Sequence, residues 1–243
     1  MKTFRIVMSA LAVMAGVLVV SPAANAQENG NRDENGKVVR GAYETNKFGD
    51  NWFIGAGAGA NSWLGNGASP KAGVAVDAFV GKWITPTVGV RMGWKGLKDG
   101  VSAKDGYTIA DEKFTYNSAH VDLLWNLSNL FSGYKETRTW NISVYPTFAY
   151  MNAAKNKEFG AGIGMLNNFR LGNRVGLYLD LSALTTKADF AGVSPRPTTL
   201  VGVLPSATFG LTVNLGKTGF KRHSSVVPAI VPVPFTEAQY NNL

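Results

Sequence analysis

The chain has 243 residues, 28 glycines, two histidines, no cysteine, 16% charged residues and a formal net charge of +8. Without cysteine there is no disulfide and no thiolate-bound metal, and His120 and His223 make no multi-histidine site unless they meet in space. The basic residues are spread through loops and tail rather than massed on one face, which argues against a nucleic-acid partner, and so much glycine with so little charge departs from a soluble domain.

Lys2 and Arg5 open the chain, an apolar run follows from Ile6 to Val20, and Ala24-Asn25-Ala26 precede Gln27. That order predicts a secretory signal peptide over residues 1–26. The run is too short and wrongly flanked for a retained membrane helix. Residues 27–50 are rich in Asn, Gly and charge, lack periodicity, and are expected to form a flexible lead-in.

From residue 51 to 216 the pattern acquires a period of two, which places alternate side chains on opposite faces of a strand. The last segment shows it plainly: Ala207, Phe209, Leu211, Val213 and Leu215 alternate with Ser206, Thr208, Gly210, Thr212 and Asn214. Eight strands are predicted: Trp52 to Ala60, Ala72 to Ile84, Val88 to Lys95 and Tyr116 to Trp125, then Trp140 to Met151, Glu158 to Leu171, Val175 to Leu184 and Pro205 to Leu215. Most have the roughly 9–11 residues, or slightly more, that a tilted strand needs to cross a hydrocarbon layer. No run of the mature chain is apolar enough for a membrane helix.

Tight turns are expected at Thr85-Pro86-Thr87 and Gly172-Asn173-Arg174, and long polar loops at Ser62 to Lys71, Gly96 to Lys113 and Thr185 to Leu204. Short connections at one end and long ones at the other suit a membrane barrel. Two connections depart from that alternation: Asn126 to Thr139 is long for its end and Asn152 to Lys157 is short.

One face of these strands carries Val74, Val76, Ala78 and Val80; Val88, Val90, Met92 and Trp94; Ala119, Val121, Leu123 and Trp125; and Val175, Leu177, Leu179 and Leu181. The other is dominated by Gly, Ser, Thr, Asn, Asp and Tyr, with Asp77, Arg91, Lys95, His120, Asp122, Glu158 and Asp180 among them. A water-facing exterior would carry more Lys and Glu. The polar face is therefore expected to line a packed lumen in which Asp77, Arg91, Lys95, His120, Asp122 and Asp180 form a compensating charge network. Trp52, Trp83, Trp94, Trp125, Trp140 and Tyr150 fall near strand ends and are expected to form aromatic girdles at the membrane interfaces. These features predict an all-β, eight-stranded, antiparallel, up-and-down transmembrane barrel in the outer membrane.

The final strand, Phe209-Gly210-Leu211-Thr212-Val213-Asn214-Leu215, resembles the C-terminal insertion signal read by the barrel assembly machinery, although Phe209 stands where that signal prefers a polar residue. Trp52-Phe53-Ile54-Gly55-Ala56-Gly57, Gly81-Lys82-Trp83, the segment Asn117 to Leu130, and Asn214-Leu215-Gly216-Lys217-Thr218 are similar to the barrel domain of OmpA-like outer-membrane proteins. The resemblance covers about residues 50–220 and lies in the whole pattern. Beyond it, residues 217–243 contain Pro228, Pro232 and Pro234 in a semi-rigid linker, with Thr236 and Gln239 spaced as a helix-capping box. In that family such a linker leads to a periplasmic peptidoglycan-binding domain. Peptidoglycan is therefore expected as a partner only where such a domain follows Leu243. A longer chain and a stand-alone barrel both fit the sequence.

Gly55-Ala56-Gly57-Ala58-Gly59 superficially resembles a phosphate loop, but it lacks the following helix and lysine and is read as the tight inner face of the first strand. Ser118, His120 and Asp122 share one face and invite comparison with a hydrolytic triad. Residues two apart on a strand lie about 6.6–6.8 Å apart along its axis, so catalytic partners would have to come from neighbouring strands. The set is read as part of the lumen network, and no enzymatic activity, metal or cofactor is expected. Lys217, Lys221, Arg222 and His223 are read mainly as a solvated flank, with contact to anionic headgroups as the other reading.

The expected function is that of a structural barrel that anchors the envelope and displays surface loops. Its partners would be outer-membrane lipid, lipopolysaccharide and the assembly machinery. A narrow, low-conductance porin, a surface adhesin and a soluble exported ligand-binding barrel are the alternatives.

Overall fold

The computed structural model describes residues 43, 47–109, 112–153, 156–195 and 201–221. The expected signal peptide, most of the lead-in, and the linker beyond Lys221, including Arg222 and His223, lie outside the described residues. The described strands are β1 (Trp52–Asn61), β2 (Ala68–Trp83), β3 (Val88–Ala103), β4 (Thr108–Ile109), β5 (Lys113–Asn126), β6 (Trp140–Ala153), β7 (Asn156–Arg170), β8 (Val175–Lys187), β9 (Val193–Ser194) and β10 (Val201–Leu215). One short helix, α1 (Leu127–Ser132), joins β5 to β6.

Eight strands close into an antiparallel barrel in the order β1-β10-β8-β7-β6-β5-β3-β2, each barrel strand lying beside its predecessor in the chain. β1 and β10 complete the ring in continuous register from Trp52↔Leu215 to Asn61↔Ser206. Closure pairs every strand on both edges, as a sheet in hydrocarbon requires. Among the described residues no helix is long and apolar enough to cross a membrane.

The predicted strands are all present, but several run further than their alternation. β2 and β3 reach 16 residues each. Much of the expected loops Ser62 to Lys71 and Gly96 to Lys113 is therefore a paired extension of the barrel wall, interrupted by a register shift between Lys71 and Val74. The expected loop Thr185 to Leu204 is likewise partly strand, because β8 continues to Lys187 and β10 begins at Val201. Backbone pairing suffices to hold these extensions, whereas alternation weakens wherever Gly, Lys and Ser replace the apolar set. β4 and β9 pair across two loops through Thr108↔Ser194 and Ile109↔Val193.

The two ends differ as anticipated. At the end that carries Trp52 and Leu215, the Thr85-Pro86-Thr87 turn closes through Ile84 and Thr85 amides on the Val88 carbonyl. The long connection after Asn126 is filled by α1. Asn126 caps it by accepting from the Asn129 amide at 2.9 Å, and Asn129 Nδ2 pins it to the Pro86 carbonyl at 2.7 Å.

Alternation assigns the faces. Val74, Met92, Val121, Phe209 and Leu211 are each more than half exposed, and Ile163 is 71% exposed, while Asp77, Arg91 and Asp122 on the opposite face are buried. So many exposed apolar side chains around a closed ring form a belt far larger than a soluble monomer carries. The inner wall stays narrow because small residues let it: a Cβ on Gly57 would collide with the Tyr178 hydroxyl and the Phe209 carbonyl.

Arginine on the lipid face near the bilayer midplane costs about 2–4 kcal/mol. Val76→Arg is therefore expected to reduce the fraction of folded, membrane-inserted protein strongly, while Asp77→Asn leaves most of it intact. Equal yields of the two variants in refolding into lipid vesicles would reverse the face assignment.

Candidate functional site

The lumen is filled in three layers. Towards the end bearing β4 and β9, Trp63, Phe114, Tyr116, Met151, Phe190 and Leu204 form a buried apolar cluster. Trp63 donates its indole N–H to Thr186 Oγ1 at 2.8 Å, and Phe114 meets Phe190 edge-on. Towards the termini, Phe53, Phe79, Leu124, Tyr145, Leu166 and Tyr178 form a second cluster, with Trp83 packed against it. Asp77, Arg91, Lys95, His120, Asp122 and Asp180 lie between these layers, while Asp99 and Glu158 are buried nearer the β4–β9 end, Glu158 accepting from the Lys187 amide at 3.0 Å.

Arg91 is the centre of that middle layer. Its Nε donates to Asp122 Oδ2 at 2.6 Å on adjacent β5, and its Nη2 to Asp180 Oδ2 at 2.9 Å on β8. β3 and β8 are four places apart in either direction around the eight-strand ring, so the second bond spans the full lumen. Lys95 crosses the same gap to Asp180 Oδ1 at 3.1 Å and donates to Ser182 and Ser206 as well. Tyr145 donates its hydroxyl to Asp180 at 2.7 Å. The guanidinium lies 4.8 Å from the Phe79 ring centre and 4.6 Å from that of Tyr145, a cation–π sandwich inside the barrel. Desolvation of these charges is offset only because each carboxylate meets several donors.

The six predicted network residues all face the lumen, but they do not form one cluster. Asp77 makes no ion pair among the described residues; it accepts from the Tyr178 hydroxyl and from Thr208 Oγ1. Its directly opposed neighbour is Lys95, whose longer side chain reaches past it to Asp180. Expected contact between Asp77 and the cations is thus replaced by two neutral donors. His120 Nδ1 lies 3.1 Å from both oxygens of Asp122, although the two residues are next-but-one on β5. The axial gap is bridged because the two side chains lean along the strand. Ser118 is not hydrogen-bonded to this pair, so the arrangement is a dyad without a nucleophile in place. Among the described residues no group of three or more His, Asp or Glu is placed to hold a metal ion.

Of the six predicted girdle residues, Trp94, Trp140 and Tyr150 are exposed on the outer face, and Trp52 and Trp125 are half-buried there. Trp140 stacks on Phe169 with ring centres 6.0 Å apart, and Tyr150 lies against Phe159. Trp83 is the exception. Its position after Gly81 puts it on the lumen side, where it packs against Phe53 at 6.0 Å. Tyr145, Tyr178, Phe79 and Thr208 complete the site without having been singled out. Their places in the alternation, beside Thr147, Asp180, Asp77 and Thr212, were the available signal.

At the termini end a second cavity of about 160 Å³ is lined by Asn51, Tyr134, Arg138, Asn168, Arg170 and Phe220, among others. The chain after β10 folds across it: the Gly219 amide donates to Asn51 Oδ1 at 2.8 Å, and the Phe220 amide to the Tyr134 hydroxyl at 3.2 Å. Burial pushes the Tyr134 phenol above its ordinary range, so the hydroxyl stays protonated at physiological pH.

Removing one partner of a buried ion pair costs about 3–5 kcal/mol. Arg91→Ala is expected to lower stability in urea unfolding from lipid vesicles by that order, and Arg91→Met with Asp122→Asn, which leaves Lys95 paired with Asp180, to recover most of the loss. An Arg91→Ala barrel as stable as wild type would show that the network contributes nothing.

No protein-family model matches the chain. It is 28% identical over 228 residues to "Outer membrane protein 40" of Porphyromonas gingivalis, covering 86% of this chain and 58% of that protein. It is 25% identical over 203 residues to "Outer membrane protein 41" of the same organism, covering 74% of this chain and 51% of the relative. The chain thus spans somewhat over half the length of these curated relatives. Among solved structures it is similar to Neisserial surface protein A, with 10% identity, a TM-score of 0.47 and coverage of 68% of this chain and 97% of that one. It is also similar to Ail of Yersinia pestis, with 11% identity, a TM-score of 0.37 and coverage of 67% and 99%. The closed barrel, its apolar exterior and the two curated relatives, both outer membrane proteins by name, make the chain an outer-membrane β-barrel protein.

Proposed function

We propose that this chain is an OmpA-like structural barrel that anchors the cell envelope and displays ordered surface elements, rather than a diffusion channel. The filled lumen carries this reading. Apolar layers lie on both sides of the ion-paired layer, and the cavity within that layer measures only about 30 Å³. Such a space holds about two water molecules and no continuous aqueous path. The paired β2–β3 extension and the β4–β9 sheet support surface display, because they fix segments that would otherwise be loops.

The short turns and both described termini share one end, which we assign to the periplasm. The opposite end then meets lipopolysaccharide. Lys98, Lys113, Lys157 and Lys187 are exposed at that end of four strands, beyond Trp94, Tyr150 and Phe159. Their ammonium groups suit the phosphates of the outer leaflet, while the aromatics serve as the interfacial girdle. The final strand would be read by the barrel assembly machinery. Peptidoglycan enters this reading only where a C-terminal domain follows the linker. The reading contains no enzymatic step and no cofactor.

Single-channel recording of the refolded protein in a planar bilayer is expected to show an inserted but silent barrel. Large, regular conductance steps would overturn the sealed-lumen reading in favour of a porin. Replacing Lys98, Lys113, Lys157 and Lys187 together by Gln should weaken association with vesicles containing lipopolysaccharide, at about 1 kcal/mol per charge, and leave insertion into neutral lipid unchanged. Unaltered association would remove the lysines from the proposed lipid contact.

A further inference from the structure

The connection Asn126 to Thr139 is longer than a turn at its end requires, and it forms one wall of the cavity of about 160 Å³ at the termini end. It supplies Asn129, Tyr134, Glu136 and Arg138, while β7 supplies Asn168 and Arg170. An aromatic frame holds these parts together. The Tyr134 ring meets Tyr43 edge-on at 5.7 Å and Phe220 at 5.6 Å, so the segments before β1 and after β10 are both pinned to the connection. Lys135, Glu136 and Asn173 also line the cavity and are exposed, so the space opens to solvent.

Two half-buried guanidinium groups line this space without a carboxylate partner among the described residues. Arg170 is held by neutral oxygens: its Nε donates to the Gly172 carbonyl at 3.1 Å, its Nη2 to Asn173 Oδ1 at 2.9 Å, and its Nη1 to the Glu136 carbonyl. Arg138 donates from Nη2 to the Gly133 carbonyl at 2.6 Å, and its Nε and Nη1 have no partner among the described residues. Neutral acceptors orient a guanidinium but leave its charge uncompensated. Glu136 is the one carboxylate among the described lining residues, and it is ion-paired to neither arginine. A Cβ on Gly219 would stand 3.1 Å from Glu136 Cδ, so that carboxyl group lies against the segment after β10. Lys135, Arg138 and Arg170 are thus set against Glu136 alone, and the lining is net positive.

The rest of the lining mixes donors and acceptors. Asn126 Nδ2 donates to Asn141 Oδ1, and Asn168 Nδ2 to Thr212 Oγ1, each at 3.3 Å. Asn141 Nδ2, Asn168 Oδ1 and the Asn214 amide are left without a partner among the described residues. A carboxamide offers both a donor and an acceptor, and so does each hydroxyl of a sugar. Phe53, Trp83 and Leu166 add apolar surface from the cluster below, which suits the C–H face of a ring. A cavity of about 150 Å³ accepts a six-membered ring. We propose that this cavity binds a sugar acid, one pyranose ring whose carboxylate is taken by Arg138 beside Arg170 and whose hydroxyls meet Asn141, Asn168 and Asn214. A guanidinium matches a planar carboxylate in both charge and shape. Access from the periplasm rests on the orientation proposed above, whereas the binding chemistry does not.

D-glucuronate is the probe, titrated into the refolded, nitrogen-15-labelled full chain in detergent micelles, where both ends of the barrel are accessible. D-glucose and acetate at equal ionic strength control for the ring and for the charge. Glucuronate is expected to shift the amide signals of Tyr134, Asn168 and Phe220 at a concentration about tenfold or more below either control, the worth of one charge-assisted hydrogen bond. Arg138→Gln should bring glucuronate down to the level of glucose. Asn168→Ala, which keeps both arginines, should weaken glucuronate and glucose while leaving acetate unchanged. No shift at these amides in the wild-type barrel, acetate as effective as glucuronate, or glucuronate binding unaltered in both variants overturns the proposal. A conducting barrel in the planar bilayer would sink the sealed-lumen reading and leave this titration standing, so each can fail without the other.

Discussion

Backbone closure is the constraint on which everything else in this molecule depends. Hydrocarbon offers no hydrogen-bond partner to an exposed amide or carbonyl, so the sheet must end where it began. The continuous register between β1 and β10 meets that requirement, and it also fixes the strand number and therefore the width of the interior. An eight-strand ring leaves a space that side chains can fill. The glycines of β1 and the large rings of Phe79 and Tyr178 opposite them show how the filling is done, with small residues under large ones.

Within so narrow an interior, charges are tolerated only in a specific arrangement. Asp180 accepts from Arg91, Lys95 and Tyr145, and Arg91 is shared between two carboxylates and two aromatic rings. Each contact offsets part of the cost of withdrawing the group from water. The apolar layers above and below limit the water that can screen the pairs, so the packing of the lumen strengthens the network. Packing and stability therefore rest on one set of contacts.

The barrel was legible because lipid and lumen impose opposite chemistry on alternate residues. Where that contrast is strong, as from Val74 to Trp83 or Ala207 to Leu215, the strand and its faces can both be read. Where strands leave the bilayer the contrast disappears, and Gly96 to Ala103 reads as loop although its backbone is paired to β2 and β5. Trp83 shows a conflict between two signals: its nearness to a strand end suggests a girdle, while its parity with Asp77 and Phe79 places it inside, and parity wins. The inner surface was legible as a list of charged residues, but not as a set of pairs. Nothing local indicates that Lys95 bypasses the adjacent Asp77 for Asp180, 85 residues away, because that choice depends on curvature and side-chain length. The α1 helix is six residues long, too short for its periodicity to stand out.

The bond from Arg91 to Asp180 has a consequence for the order of assembly. It joins strands on opposite walls, so an open sheet of any length leaves both partners without each other. Only the closed ring brings them within 2.9 Å. Interactions absent until the final step act on the barrier to escape rather than on the rate of arrival. The pair therefore serves as a latch: it does not hasten insertion, but once the ring has shut it sets how long the barrel survives in the membrane.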